Sequence, residues 1–133
     1  MIEADEINLP DVLAEIRTLF DRYEAALVGN DIETLDGLFW ASAFVLRYGS
    51  SENLYGIEAI RAFRQARSPV GLARVLRNTV ITTYGRDLAT TATEFFRENP
   101  QRCGRQTQTW VRLAEGWRVV AGHVSIIDMS GQG

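Results

Sequence analysis

Seven side chains in this sequence have the chemistry and the spacing to act on a small polar molecule: Tyr23, Arg47, Tyr48, Gln106, Gln108, Trp110 and His123. In Arg105-Gln106-Thr107-Gln108-Thr109-Trp110, strand alternation puts Gln106, Gln108 and Trp110 on one face. In the last strand the same rule gives Trp117, Val119, Ala121, His123 and Ser125 a common face. Arg47 points opposite to its neighbours Leu46 and Tyr48, and Tyr23 is the one polar tip in an apolar helical stripe. Arginine, tyrosine, histidine and carboxamides supply many donors and few acceptors, a set that suits an anionic ligand. The chemistry it supports is cofactor-free acid–base or electrostatic catalysis.

Each of these residues also has a structural reading. A buried tyrosine hydroxyl often satisfies a nearby carbonyl, a lone histidine often sits satisfied in a core, and paired glutamines often form a solvated strand face. Arg47, amid Phe44, Val45, Leu46 and Tyr48, either lies on an outer face or pairs with an anion. Glu94 is the nearest candidate for an internal counter-ion.

Other chemistries fail on the residues available. There is no Gly-x-Ser-x-Gly elbow, P-loop, Gly-x-Gly-x-x-Gly fingerprint or His-Glu-x-x-His pair. One cysteine and one histidine leave neither an internal disulfide nor a Cys/His zinc constellation, and Cys103, in Asn99-Pro100-Gln101-Arg102-Cys103-Gly104, reads as an incidental thiol in a turn. All 14 basic residues are arginine, which excludes a lysine Schiff base. A net charge of −3 gives no electrostatic support for nucleic acid or an anionic membrane. No stretch approaches the ~18 apolar residues that span a bilayer. The short acidic start, Met1-Ile2-Glu3-Ala4-Asp5-Glu6, is unlike a secretory signal, so a cytoplasmic location is expected.

The elements that must position these residues follow from periodicity. With 46% hydrophobic and 23% charged residues over 133 positions, the chain reads as a single globular domain. A first helix starts after Asn8 as N-cap, with Pro10 in its first turn, and carries Val12, Leu13, Ile16, Leu19, Phe20, Tyr23 and Leu27 as its stripe. Asn30 is expected to cap a second helix bearing Ile32, Leu35, Leu38 and Phe39. Phe44 to Gly49 reads as a strand; Gly56 opens a third helix with Ile57, Ile60 and Phe63 inward and Arg61 and Arg64 outward. Strands then run from Ala73 to Tyr84, Leu88 to Arg97, Arg105 to Leu113 and Trp117 to Ile127. Helices first and a meander after them predict an α+β fold. Its antiparallel sheet must curl, cone-like, around the N-terminal helices and leave a concave interior for a ligand.

Gly56-Ile57-Glu58-Ala59-Ile60-Arg61-Ala62-Phe63 and Gly116-Trp117-Arg118-Val119-Val120-Ala121-Gly122-His123-Val124-Ser125 resemble the third helix and closing strand of SnoaL-like, nuclear-transport-factor-2-like (NTF2-like) domains. Leu46-Arg47-Tyr48-Gly49, Glu52-Asn53-Leu54-Tyr55-Gly56, Gly104 to Trp110, Tyr23-Glu24-Ala25-Ala26-Leu27 and Asn30-Asp31 narrow the resemblance to the AtzH/HpxZ family, over about Asn8 to Ser125. That resemblance implies a cofactor-free decarboxylating amidohydrolase converting 1,3-dicarboxyurea to allophanate in the breakdown of nitrogen-rich compounds such as cyanuric acid. It implies Tyr23 and Arg47 as the catalytic pair, a homodimer, and functional association with an amidase and its small subunit. The glutamine strand adds Gln106 and Gln108 as pocket residues, with Tyr48, Trp110 and His123 as further substrate contacts. Two alternatives remain: an HpxZ-like carrier or accessory protein of oxalurate and purine catabolism, and a SnoaL-like isomerase, for which Glu94 would be the base.

With one histidine and one cysteine, no ordinary transition-metal site can be assembled from a single chain. Dialysis against a strong chelator is expected to leave turnover unchanged; a loss restored by one added metal would refute this.

Overall fold

The computed structural model describes residues 1–130. After a short 3-10 turn at Ala4–Glu6, the chain forms helix α1 (Pro10–Val28) and helix α2 (Ile32–Leu38). Two short strands, β1 (Leu46–Tyr48) and β2 (Asn53–Tyr55), precede helix α3 (Ile57–Ala66). The long strands β3 (Val75–Tyr84), β4 (Leu88–Phe96), β5 (Arg102–Leu113) and β6 (Gly116–Asp128) follow. All six strands lie in one curved, unclosed sheet in the order β2-β1-β6-β5-β4-β3. This is the expected α+β architecture, with helices packed on the inner face of the sheet. One pairing departs from the expected antiparallel pattern: β1 runs parallel to β6, whereas β3 to β6 form the antiparallel meander. Alternation of side chains carries no information about the direction of a neighbour, and β2 is too short to show a period.

Helix α1 forms because its apolar residues recur every three or four positions; Val12, Ile16, Phe20, Tyr23, Ala26 and Leu27 are all buried. Its N-cap is Leu9, not Asn8. Asn8 instead takes a left-handed conformation (φ 58°), which asparagine tolerates. There its N–H donates to the Thr83 carbonyl and its Oδ1 accepts from the Thr83 N–H, both at 2.9 Å. The residue therefore ties the start of α1 to β3. Asn30 is likewise displaced from the capping role, with φ 52°; Asp31 caps α2 by accepting from the Thr34 N–H at 3.2 Å and the Thr34 hydroxyl at 2.6 Å. Those bonds favour the ionised form and hold the Asp31 carboxyl below its ordinary pKa. Gly56 enters α3 at φ 84°, a conformation that side chains oppose. Arg64 is not outward as expected. It is 2% exposed, donates to Asp36 Oδ1 at 2.7 Å and lies 4.3 Å from the centroid of the Phe39 ring. A paired guanidinium stacked on an aromatic face can occupy a buried helix position that charge alone would forbid.

The last strand, β6, contains a break in register. Thr109 pairs with Ala121 and Trp110 with Val119, so Val120 is an extra residue on β6. A β-bulge of this kind reverses the facing of everything beyond it. Before it, Trp117 and Val119 face the helices; after it, Gly122, Val124 and Ile126 do, and His123 and Ser125 turn outward.

The core centres on Trp110, Phe20, Phe39, Ile16, Leu35, Ile60, Val45 and Val119, each no more than 2% exposed. Cys103 lies outside this core, on the face of β5 opposite to Gly104 and beside Glu94. It is in β5 rather than in the preceding turn, buried, and its thiol pKa is pushed up by burial and by the Glu94 carboxylate.

On the inner face of β5, Gly104 pairs with Phe95, and the Phe95 ring lies where a Cβ on residue 104 would stand. The requirement is for space, so Gly104→Ala must push the ring aside. We expect a loss of about 1–3 kcal/mol in denaturant-unfolding stability, largely relieved by adding Phe95→Leu.

Candidate active site

The concave side of the sheet holds a cavity of about 230 Å³ between α1, α3, the β1–β2 connection and the inner faces of β4 to β6. Tyr23 enters it from the fourth turn of α1, buried and with its ring centroid 6.2 Å from that of Phe39. Arg47 enters from β1 on the same face as its register partner Gly122, beyond the bulge, where a Cβ would meet the Arg47 stem and the Phe39 ring at ordinary contact distances of 3.7 and 3.9 Å. The two residues expected to be catalytic thus share one small space.

Arg47 does pair with a carboxylate, but not with Glu94. Its Nη1 donates to Glu52 Oε1 at 3.1 Å, and its guanidinium lies 5.4 Å from the centroid of the Phe63 ring. Glu52 reaches this position by folding over Gly49, where any Cβ would collide with it, and its other oxygen accepts from the Ser51 hydroxyl at 2.8 Å. Glu94 is on the opposite face of β4, accepting from Asn78 Nδ2 at 3.0 Å. In a strand, one position either way reverses the face, so sequence proximity to the apolar run misled.

A second ion pair builds the far wall. Arg74, just before β3, makes a bidentate pair with Glu24 of α1, with Nε to Oε2 at 2.8 Å and Nη2 to Oε1 at 2.6 Å. The same Nη2 donates to Gln106 Oε1 at 3.0 Å, and the guanidinium sits 4.5 Å from the Phe95 centroid. Arg97 also lies over that ring, 5.0 Å from its centroid, and donates to the Gly71 carbonyl. Partial burial and the nearby Arg74 charge hold the Arg97 pKa below its ordinary value.

Arg67 completes the set without a partner. Its Nε and Nη2 are buried and make no hydrogen bond among the described residues. Burial, with Arg64, Arg47 and Arg97 close by, lowers its pKa, and Tyr23 acts in the opposite sense. Four arginines therefore line the cavity, and the two carboxylates paired with them, Glu24 and Glu52, leave two positive charges uncompensated. Among the described residues, no group of three His, Cys, Asp or Glu side chains is placed to hold a metal. What the arrangement can do is bind a small anion beside a tyrosine hydroxyl.

Of the other residues expected at the site, Gln106 lines the cavity through its bond to Arg74. Gln108 and Trp110 share its face but lie deeper: the Thr91 hydroxyl donates to Gln108 Oε1 at 3.0 Å and accepts from Trp110 Nε1 at 3.3 Å. Trp110 is fully buried and is a core residue, not a contact surface. Tyr48 and His123 are elsewhere altogether. They pair across β1 and β6 on the outer face, stack edge-on at 5.8 Å and line an open groove with Tyr55, whose hydroxyl is 3.1 Å from that of Tyr48. The bulge at Val120 is the reason for His123; Tyr48 follows from its alternation with Arg47. Sequence reasoning missed Arg67, Arg74 and Arg97 as site residues. They lie at a helix end, in a connection and at a strand end, where no periodicity assigns a facing.

A family model described as AtzH-like matches residues 5–130. The chain belongs to the AtzH-like family. Among solved structures, a Pectobacterium atrosepticum protein described as being of unknown function and from the DUF3225 family is 56% identical, with a TM-score of 0.94 over 96% of this chain and 100% of that one. A Burkholderia xenovorans protein described as having a cystatin-like fold is 49% identical, with a TM-score of 0.89 over 93% and 98%. An NTF2-like superfamily protein from Salmonella enterica shares the fold, with a TM-score of 0.72 at 24% identity over 92% and 96%. No curated protein matches the chain. The resemblance read in the motifs holds at the level of the AtzH-like family and the NTF2-like fold. Among the described residues, no helix is long and apolar enough to cross a membrane.

Proposed function

We propose that this AtzH-like chain is a cofactor-free enzyme that removes one carboxyl group from a small ureido acid, converting 1,3-dicarboxyurea to allophanate. The observation that carries this reading is the meeting of Tyr23 and Arg47 in a small cavity with surplus positive charge. A flat dianion suits such a cavity, because planar guanidinium forks match carboxylate geometry.

In the proposed reaction the dianion and one proton yield allophanate and carbon dioxide. The bond between one nitrogen and its carboxyl carbon breaks, and its electron pair passes to the nitrogen and onto the central carbonyl oxygen. Tyr23 delivers the proton to that nitrogen and recovers it from water. Arg47 stabilises charge gathering on the central carbonyl oxygen; placed on the departing carboxylate it would stabilise the ground state and slow the reaction. The Glu52 contact supports that role, since it holds the guanidinium in one orientation and lessens its pull on a full negative charge. The isomerase alternative loses its base, because Glu94 faces away from the cavity. In this reading the chain works as a homodimer through the outer sheet face, where Tyr55 and Val80 are exposed, and beside an amidase that consumes its product.

Arg47→Lys keeps the charge facing Glu52 but loses the planar fork. Turnover should fall by at least ~30-fold, about 2 kcal/mol on the transition-state scale, with little change in melting temperature. Lowered stability with intact specific activity would make Arg47 merely the partner of Glu52. Tyr23→Phe removes one oxygen and almost no volume, so the fold should survive. The rate should drop on the order of 10²-fold or more, as for loss of a positioned acid–base group, while an unreactive dianionic analogue still binds. An unchanged rate would end the catalytic role of Tyr23 and favour a carrier.

A further inference from the structure

We propose that Arg67 is the carboxylate anchor of the cavity, the group that decides whether a ligand must be an anion at all. The claim deepens the ureido-acid reading and rests on it for the identity of the ligand, but not for the class of group recognised. Three of the four guanidinium groups in the cavity already have partners. Arg47 has Glu52, Arg74 has Glu24 and Gln106, and Arg97 has the Gly71 carbonyl. Arg67 alone has two buried donors, Nε and Nη2, with no acceptor among the described residues. These two nitrogens lie on one edge of the guanidinium plane, the edge that grips a carboxylate with two parallel hydrogen bonds.

Leaving such buried donors unmet is costly, and the like charges of Arg47, Arg64 and Arg97 nearby add to the cost. The position is therefore completed by an anion that the chain does not itself supply. The backbone that carries Arg67 is held in place. The residue caps the end of α3, its own backbone N–H donating to the Phe63 carbonyl, and Pro69 follows two residues later. The substrate class follows: a small molecule carrying a planar carboxylate that persists through the reaction. In the proposed chemistry that is the carboxylate retained in allophanate, with the central carbonyl turned to Arg47 and Tyr23. Arg67 thus binds, and Arg47, its charge already met by Glu52, polarises.

The test uses the unreactive series malonamate, acetate and the neutral malonamide, measured by calorimetry on the wild type, Arg67→Met and Arg67→Lys. Wild type should prefer malonamate over malonamide by at least ~30-fold, the scale of a charge-assisted bidentate contact. Arg67→Met should abolish that preference, Arg67→Lys should keep only part of it, and Arg47→Met should leave it standing. Without ligand, Arg67→Met should melt no lower than wild type, because it removes two buried donors that have no acceptor; a structural role would lower the melting temperature. Retention of the malonamate preference in Arg67→Met, or its absence in wild type, overturns the proposal. If acetate binds as tightly as malonamate and Arg67→Met weakens both, the anchor stands and the ureido-acid reading falls.

Discussion

Guanidinium groups gathered in one cavity repel one another and surrender hydration, and the architecture of this chain is organised around meeting that cost. The compensating groups come from every layer. Glu24 reaches in from α1, Glu52 from the connection between β1 and β2, and the ring faces of Phe63 and Phe95 from α3 and β4. Phe95 can present its face only because Gly104, opposite on β5, has no side chain. Moving any one of these elements would uncover a charge. Arg64 belongs to the same system one layer back: its pair with Asp36 joins α3 to α2, and its plane supports Phe39, against which Tyr23 rests. The apolar core of Trp110, Ile16 and Leu35 supplies the stability against which this polar cluster is held.

One extra residue gives the two sheet faces their separate characters. Without Val120 as a bulge, His123 and Ser125 would share a face with Trp117 and Val119, and Gly122 would point outward. Arg47, paired with Gly122 across the parallel ladder, would then turn outward with it. The bulge thus lets Gly122 and Arg47 face inward together and collects the Tyr48–Tyr55–His123 aromatics on the outside. The inner face is left with charged donors over apolar Val124 and Ile126.

How much of this could be read in advance depends on how each feature is encoded. The stripe from Val12 to Leu27 and the alternation in β4 and β5 report burial directly, so helices, meander and the inward facing of Gln106 and Gln108 were legible. Tyr23 and Arg47 came from motif resemblance, and the structure brings them to one cavity. His123 was misplaced because alternation counts residues and cannot see an inserted one. Arg64 was misplaced because periodicity put it on the polar side, whereas its pairing with Asp36, 28 residues away, is a tertiary fact. Arg67 and Arg74 lie where the chain has no period, and their partners, or the lack of them, exist only in three dimensions.

The absence of lysine acquires a meaning at this site, whatever its origin in the rest of the chain. An ammonium buried beside three other cations would shed its proton, because burial and like charge both favour the neutral form. A guanidinium does not deprotonate in proteins, so its pKa can be lowered, as at Arg67 and Arg97, without loss of charge. Arginine is therefore the residue type that can maintain a positive field in a cavity this small before a ligand arrives. The field is fixed across the range in which the fold stands. Any pH dependence of binding must arise in the ligand or in the groups that compensate the arginines, not in the arginines themselves.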